Sequence, residues 1–171
     1  MNAPSLFLAG LAAVSIAGTA QAHVVFAQPV ATAGAHWAGA LRVSHGCDGS
    51  ATTSVRVEIP VGIVVARPQP KAGWTIVIER EPLAAPVAAE GGGMLTERVS
   101  AITWTGRLPD DQFEEFSLAA KLPAETVALA FPVIQTCEQG EARWTEAAVA
   151  GAPRPAHPAP VLTLQAGAAH H

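Results

Sequence analysis

The sequence predicts an all-β sandwich. Three observations carry this: about nine short apolar stretches of strand length, Gly- and Pro-rich turns between them, and no long run with helical periodicity. The cleanest pattern lies at residues 53–59, where Val55, Val57 and Ile59 alternate with Ser54, Arg56 and Glu58 until Pro60 stops the run. Side chains of a strand point alternately to its two faces, so this stretch is a half-buried strand.

The other elements follow in order. Val24-Val25-Phe26 reads as a short strand stopped by Gln28-Pro29, and a turn through Gly34 leads to a strand over 37–43. His45-Gly46-Cys47-Asp48-Gly49-Ser50 is a loop by its turn residues. A short apolar run at 62–66 precedes Pro68-Gln69-Pro70, and Gly73-Trp74 opens a strand over 75–79. Residues 82–93, Pro/Ala-rich and then Gly-Gly-Gly, are expected to form a mobile surface loop. The next strand, over 96–105, carries Val99, Ile102 and Trp104. In the strand over 112–121, Glu114, Phe116, Leu118 and Ala120 share one face and Phe113, Glu115 and Ser117 the other; Phe116 and Leu118 mark the core side, which sets Glu115 outside. Stretches at 126–130 and 133–136 lead to Cys137, and one at 142–149 contains Trp144. Residues 153–160 are polyproline-like, 161–164 form an edge strand, and 165–171 are a flexible Ala/Gly/His tail. Trp37, Trp74 and Trp104 read as core or sheet packing.

Residues 1–22 read as a secretory signal. The chain is continuously apolar or small from Leu6 to Ala20, and Ala20-Gln21-Ala22 closes it with a small-x-small cleavage site. The run is short for a bilayer span and rich in Ala and Gly, so an uncleaved anchor is the weaker reading, and no other stretch could cross a membrane. Cleavage after Ala22 leaves 149 of the 171 residues, one domain's worth, exported to the periplasm, cell surface or medium. Ten Lys and Arg against 14 Asp and Glu give a net charge of −4 without a basic run, which excludes a nucleic-acid binder. Cys47 and Cys137 share no C-x-x-C spacing and in an oxidising compartment are expected to form one disulfide.

That cut would make His23 the first residue, with a free α-amine and an imidazole on one Cα, so that both nitrogens can chelate one ion. No internal histidine can do this. Copper(II) takes imidazole, amine and carboxylate donors in a tetragonal plane, whereas copper(I) wants thiolate or thioether. Beyond the leader the chain has one methionine, Met94, and bridged cysteines, so the donors point to Cu(2+), with a carboxylate completing the plane.

Several short motifs now fall into place together. His23-Val24, Gly46-Cys47-Asp48-Gly49-Ser50, Val57-Glu58-Ile59-Pro60, Lys71-Ala72-Gly73-Trp74, Ile102-Thr103-Trp104-Thr105-Gly106, Phe113-x-Glu115-Phe116, Gln135-Thr136-Cys137-Glu138 and Arg143-Trp144-Thr145-Glu146 occur in that order. The set resembles the YcnI-like copper-binding family over most of residues 23–164. The resemblance implies an immunoglobulin-like antiparallel β-sandwich that binds copper(II) in a mono-histidine brace. It places the metal ligands at His23 and Glu115, with Trp144 beside the site. Glu114 and Glu146 are rival ligands, since a one-residue shift along a strand exchanges faces. His36 and His45 are candidate extra ligands, His157 reads as structural, and His170-His171 as a weak metal-binding tail.

Two classes of function follow. The first is a non-enzymatic copper chaperone or buffer that exchanges its ion with a copper-delivering or copper-receiving protein. The second is a copper oxidase resembling the lytic polysaccharide monooxygenases, which would need His36 or His45 to close on His23 and has no tyrosine for an axial position. A third reading is an exported structural sandwich in which His23 has no metal role. No G-x-S-x-G, P-loop, H-E-x-x-H or G-x-G-x-x-G motif is present.

Overall fold

The alternation at 53–59 ends up in the middle of a sheet, with Val55, Val57 and Ile59 all buried. The structure, a computed structural model, describes residues 23–149, 151–153 and 155–167. The signal-peptide reading of 1–22 and the His170-His171 pair lie outside the described residues. Within them are twelve strands and no helix: β1 (Val25–Phe26), β2 (Val30–Thr32), β3 (His36–Val43), β4 (Thr52–Glu58), β5 (Ala66–Pro68), β6 (Thr75–Ala88), β7 (Met94–Leu108), β8 (Glu114–Lys121), β9 (Ala128–Ala130), β10 (Val133–Cys137), β11 (Glu141–Trp144) and β12 (Val161–Gln165). It follows that no described helix is long and apolar enough to cross a membrane.

The strands form a four-stranded sheet in the order β1-β3-β8-β5, a five-stranded sheet in the order β11-β10-β4-β7-β6, and a small sheet β2-β12-β9. All pairings are antiparallel except β12 with β2. The two larger sheets enclose one core. Leu41, Phe116 and Leu118 face it from one side, and Val55, Val57, Ile102, Trp104 and Val133 from the other. Phe116 is its hub, meeting Trp74 edge-on at 4.9 Å and Trp104 at 5.6 Å. Trp74 packs where Gly106 leaves room: a Cβ on Gly106 would come within 2.4 Å of the indole. Such a separation is far inside van der Waals contact, so the need for glycine at Gly106 opposite Trp74 is steric.

Three expectations change. The stretch at 82–93 is not a free loop. β6 continues through it to Ala88 and pairs with β7, whose first residue is Met94, so the two strands form a long hairpin arm. Pro82 and Pro86 are tolerated because β6 is an edge strand, and the register shifts at Glu79/Arg80 and between Pro82 and Val87 absorb the missing donors. The terminal stretch 161–164 is no edge: β12 is the central strand of its sheet and buries Leu162 and Leu164. Gln165 belongs to this strand, not to a tail. Of the stretch at 142–149 only Ala142, Arg143 and Trp144 are in a strand, the end of β11.

The Cys47–Cys137 disulfide is formed and closes a 90-residue separation. It ties the loop after β3 to the end of β10, at the end of the sandwich where the described chain begins.

Candidate metal centre

His23 lies two positions before the first residue of β1, which is only two residues long and sits at the edge of the four-stranded sheet. Val24 and Phe26 are buried while Val25 is exposed, so this segment is anchored by its inward-facing side chains. His23 itself is half-buried. Its ring lies 5.5 Å from that of Trp144, tilted by 50°. Trp144 comes from the other large sheet, where it pairs with Val133, and is 5% exposed. His157 packs on the same indole at 5.2 Å. The tryptophan thus has two imidazole neighbours.

The orientation of that indole is set by Gln135. The Trp144 Nε1–H donates to Gln135 Oε1 at 3.1 Å, and the Gln135 amide donates to the His45 carbonyl at 2.7 Å and to Thr52 Oγ1 at 2.8 Å. Gln135 is 1% exposed, so these bonds replace water it has lost. A polar side chain in the inward row Val133–Gln135–Cys137 is the sequence signal for this network, and residue typing alone had not singled it out. Through Gln135, His45 joins the same group as Trp144 and His23, and its Nδ1 also contacts the Gly46 carbonyl. His36 does not: it begins β3 at the far end of the sheet and pairs with Glu90 at 3.3 Å.

Glu115 reaches this end of the sheet by register. Val25 pairs with Arg42, and Arg42 pairs with Glu115. Three outward-facing side chains therefore form a row across three strands, about 10 Å from the first Cα to the last. Arg42 occupies the middle, donating Nη2 at 2.7 Å and Nε at 3.0 Å to Glu115 Oε1. Arg42 also lies 5.8 Å from the Phe113 ring.

The rival Glu114 is engaged elsewhere. Lys71 Nζ lies 2.7 Å from its Oε1, which also accepts the Glu115 N–H at 2.8 Å. Burial opposes ionisation of Glu114, but the Lys71 hydrogen bond, the Glu115 N–H and the Lys71 charge together outweigh it and hold the carboxyl below its ordinary value. The other rival, Glu146, accepts the His157 N–H at 2.8 Å and donates its own N–H to the His157 carbonyl at 3.1 Å. Glu146 therefore fixes the histidine that packs on Trp144.

The structure brings His23 and Trp144 into contact and sets Glu115 at the same end of the sheet, across Arg42. Among the described residues, no three His, Cys, Asp or Glu side chains converge closely enough to hold a metal ion. In the uncut chain the His23 nitrogen is an amide, so the second nitrogen of a brace is created only by cleavage.

A family model described as a domain of unknown function, DUF1775, matches residues 23–164. The chain belongs to the DUF1775 family. The DUF1775 match opens on His23 itself. A solved chain from Nocardia farcinica, described as an uncharacterized protein whose crystal structure reveals an immunoglobulin-like fold, is 29% identical. It superposes with a TM-score of 0.65 over 83% of this chain and 97% of its own. The sandwich described above is thus immunoglobulin-like. No curated protein matches the chain.

Proposed function

We propose that this DUF1775 domain is an exported copper(II)-binding protein, a chaperone or buffer rather than an enzyme, whose principal ligand is His23 after cleavage at Ala22. The observation that carries the reading is the packing of His23, the first residue of the family match, against the buried Trp144. Cleavage would free an α-amine beside an imidazole already held by that packing. The donors then present, amine, imidazole and carboxylate, are those copper(II) prefers.

Glu115 is the carboxylate we assign to the metal. An exposed ion pair such as Arg42–Glu115 is worth about 0.2–1 kcal/mol, so a divalent ion at His23 displaces Arg42 at little cost. Glu114 is held by Lys71 and by the Glu115 N–H, and Glu146 by the His157 backbone. His45 stands in the same network and is the residue an oxidase would recruit. His36, at the other end of the sheet, is not available for that role.

The test begins with N-terminal sequencing of the exported protein, followed by calorimetric and EPR titration with copper(II). The expected result is a first residue of His23 and one tight equivalent with nitrogen hyperfine structure. Copper(II) bound there quenches Trp144 fluorescence, and Trp144→Phe removes most of that quench while leaving binding intact. Adding one residue before His23 is expected to weaken binding at least about 100-fold, because the chelate becomes a lone imidazole. Arg42→Ala should tighten binding by up to about fivefold, and Glu115→Gln should cancel the gain. Equal binding by the extended and trimmed proteins would sink the proposal. Peroxide-driven oxidation of a polysaccharide by the copper-loaded protein would favour the oxidase.

A further inference from the structure

The hairpin arm folds over the outer face of the four-stranded sheet, at the end away from His23. Its turn is closed by the Ala89 N–H on the Gly93 carbonyl at 3.1 Å and the Gly92 N–H on the Ala89 carbonyl at 3.0 Å. Glu90, in that turn, reaches the sheet with both carboxylate oxygens: Oε2 lies 3.3 Å from His36 Nε2 and Oε1 3.2 Å from Lys121 Nζ. His36 and Lys121 are register partners on β3 and β8, so one side chain of the arm bridges two strands of the sheet.

Beneath the arm is a cavity of about 560 Å³. Its walls are mostly apolar, with Trp37, Val64, Val65, Val87, Leu95 and Leu122 among them. Ala38 and Ala119, paired across β3 and β8, give it a floor of small side chains. The size falls in the range of about 300–1,000 Å³ typical of small-molecule sites, and so does the pattern of an apolar enclosure with a few polar groups.

Charge at the rim decides the kind of ligand. His36, Lys121 and Arg67 line the cavity with a single acid, Glu90, which His36 and Lys121 already share. Arg67 is exposed and, among the described residues, makes no ion pair. One cation is therefore left over at the mouth of an apolar chamber. We propose that this cavity binds a small amphipathic monoanion, an apolar body with one carboxylate, its tail against Val87 and Leu95 and its head on Arg67, with the Glu90 arm as the closing strap. The site is separate from His23 and takes no part in metal binding.

Decanoate is the probe, with decanol as the uncharged control, titrated calorimetrically into the purified protein. Saturable binding of one decanoate per chain is expected, with decanol weaker. Ala119→Trp fills the floor, and Val87→Asp sets a carboxylate in the wall; each should weaken decanoate at least about tenfold. Arg67→Gln should cost decanoate about fivefold and leave decanol unchanged. Ala119 and Val87 are both exposed, so neither variant disturbs the core. The proposal falls if decanoate does not saturate, if both filling variants bind it like the parent, or if decanol matches decanoate in the parent. It falls equally if the parent sediments as a dimer that Ala119→Trp dissociates, since a second copy of the chain would then cover the cavity.

Discussion

The two ends of the four-stranded sheet are built by opposite means. β3 runs from His36 to Val43, about 23 Å of extended chain, and the character of the molecule reverses along it. At the Val43 end, beneath the exposed Arg42–Glu115 pair, a buried group of side chains is tied together: Trp144 to Gln135, Gln135 to His45 and Thr52, and Cys47 to Cys137. At the His36 end, apolar side chains surround a void, and the polar contacts are exposed ion pairs to Glu90. Buried hydrogen bonds hold a fixed geometry because leaving them unmade is costly, whereas exposed ion pairs open readily. One end is suited to holding a ligand atom in place, the other to admitting a body of variable shape.

The largest expected effect comes from the disulfide. Replacing both cysteines, Cys47→Ser with Cys137→Ser, should cost about 2–5 kcal/mol in a denaturant titration. Hydrogen exchange should then rise first at residues 45–52 and 135–144 and leave 36–38 and 119–121 protected. Loss of protection at both ends together would mean that the sandwich opens as one unit and that the contrast drawn here is only chemical.

A smaller effect is expected from Gln135→Leu, about 1–3 kcal/mol, because the Trp144 N–H and the His45 carbonyl each lose their partner. Trp144 emission should shift as its indole loses that bond, with no change in the decanoate titration. A change in decanoate affinity would show that the ends are coupled.

The smallest concerns Lys71→Met. Glu114 titrates below its ordinary value of 4.5, so it binds its proton less readily folded than unfolded. Its stabilising contribution is whole above the unfolded carboxyl's value and is lost as pH falls through the lower folded value. The parent should therefore exceed Lys71→Met by under about 1 kcal/mol at neutral pH, the pair being partly exposed, and the gap should close in the acid limb below about pH 4.5. A gap that persists at low pH would assign the effect to the other contacts of the Lys71 ammonium, which donates to the Glu115 carbonyl at 3.1 Å and lies 5.4 Å from the centre of the Phe116 ring.

Much of this architecture was legible in the residue pattern. Alternation identified β4 and the two faces of β8, and with them the outward position of Glu115. What escaped it was long-range. Pro82, Pro86 and three consecutive glycines carry the local chemistry of a loop, and only pairing with β7 turns that stretch into an arm. β12 looked like an edge because its neighbours come from residues 30–32 and 128–130, far away in the chain. At the candidate metal centre, His23 was marked by the cleavage motif, and Trp144 and Glu115 by resemblance. The Arg42 clasp on Glu115 and the packing of His157 on Trp144 depend on register and packing that residue spacing does not encode.

The prolines of β6 have a further consequence. This strand is the outer edge of the five-stranded sheet, and at fourteen residues it is the longest border the described molecule presents to other chains. An uninterrupted border of that length would template intermolecular strand addition. Pro82 and Pro86 offer no amide hydrogen, and the register slips around them break the ladder repeat, so a second molecule finds only short lengths on which to zip. The irregularity that let the arm bend over the cavity also acts as a guard against fibrous assembly.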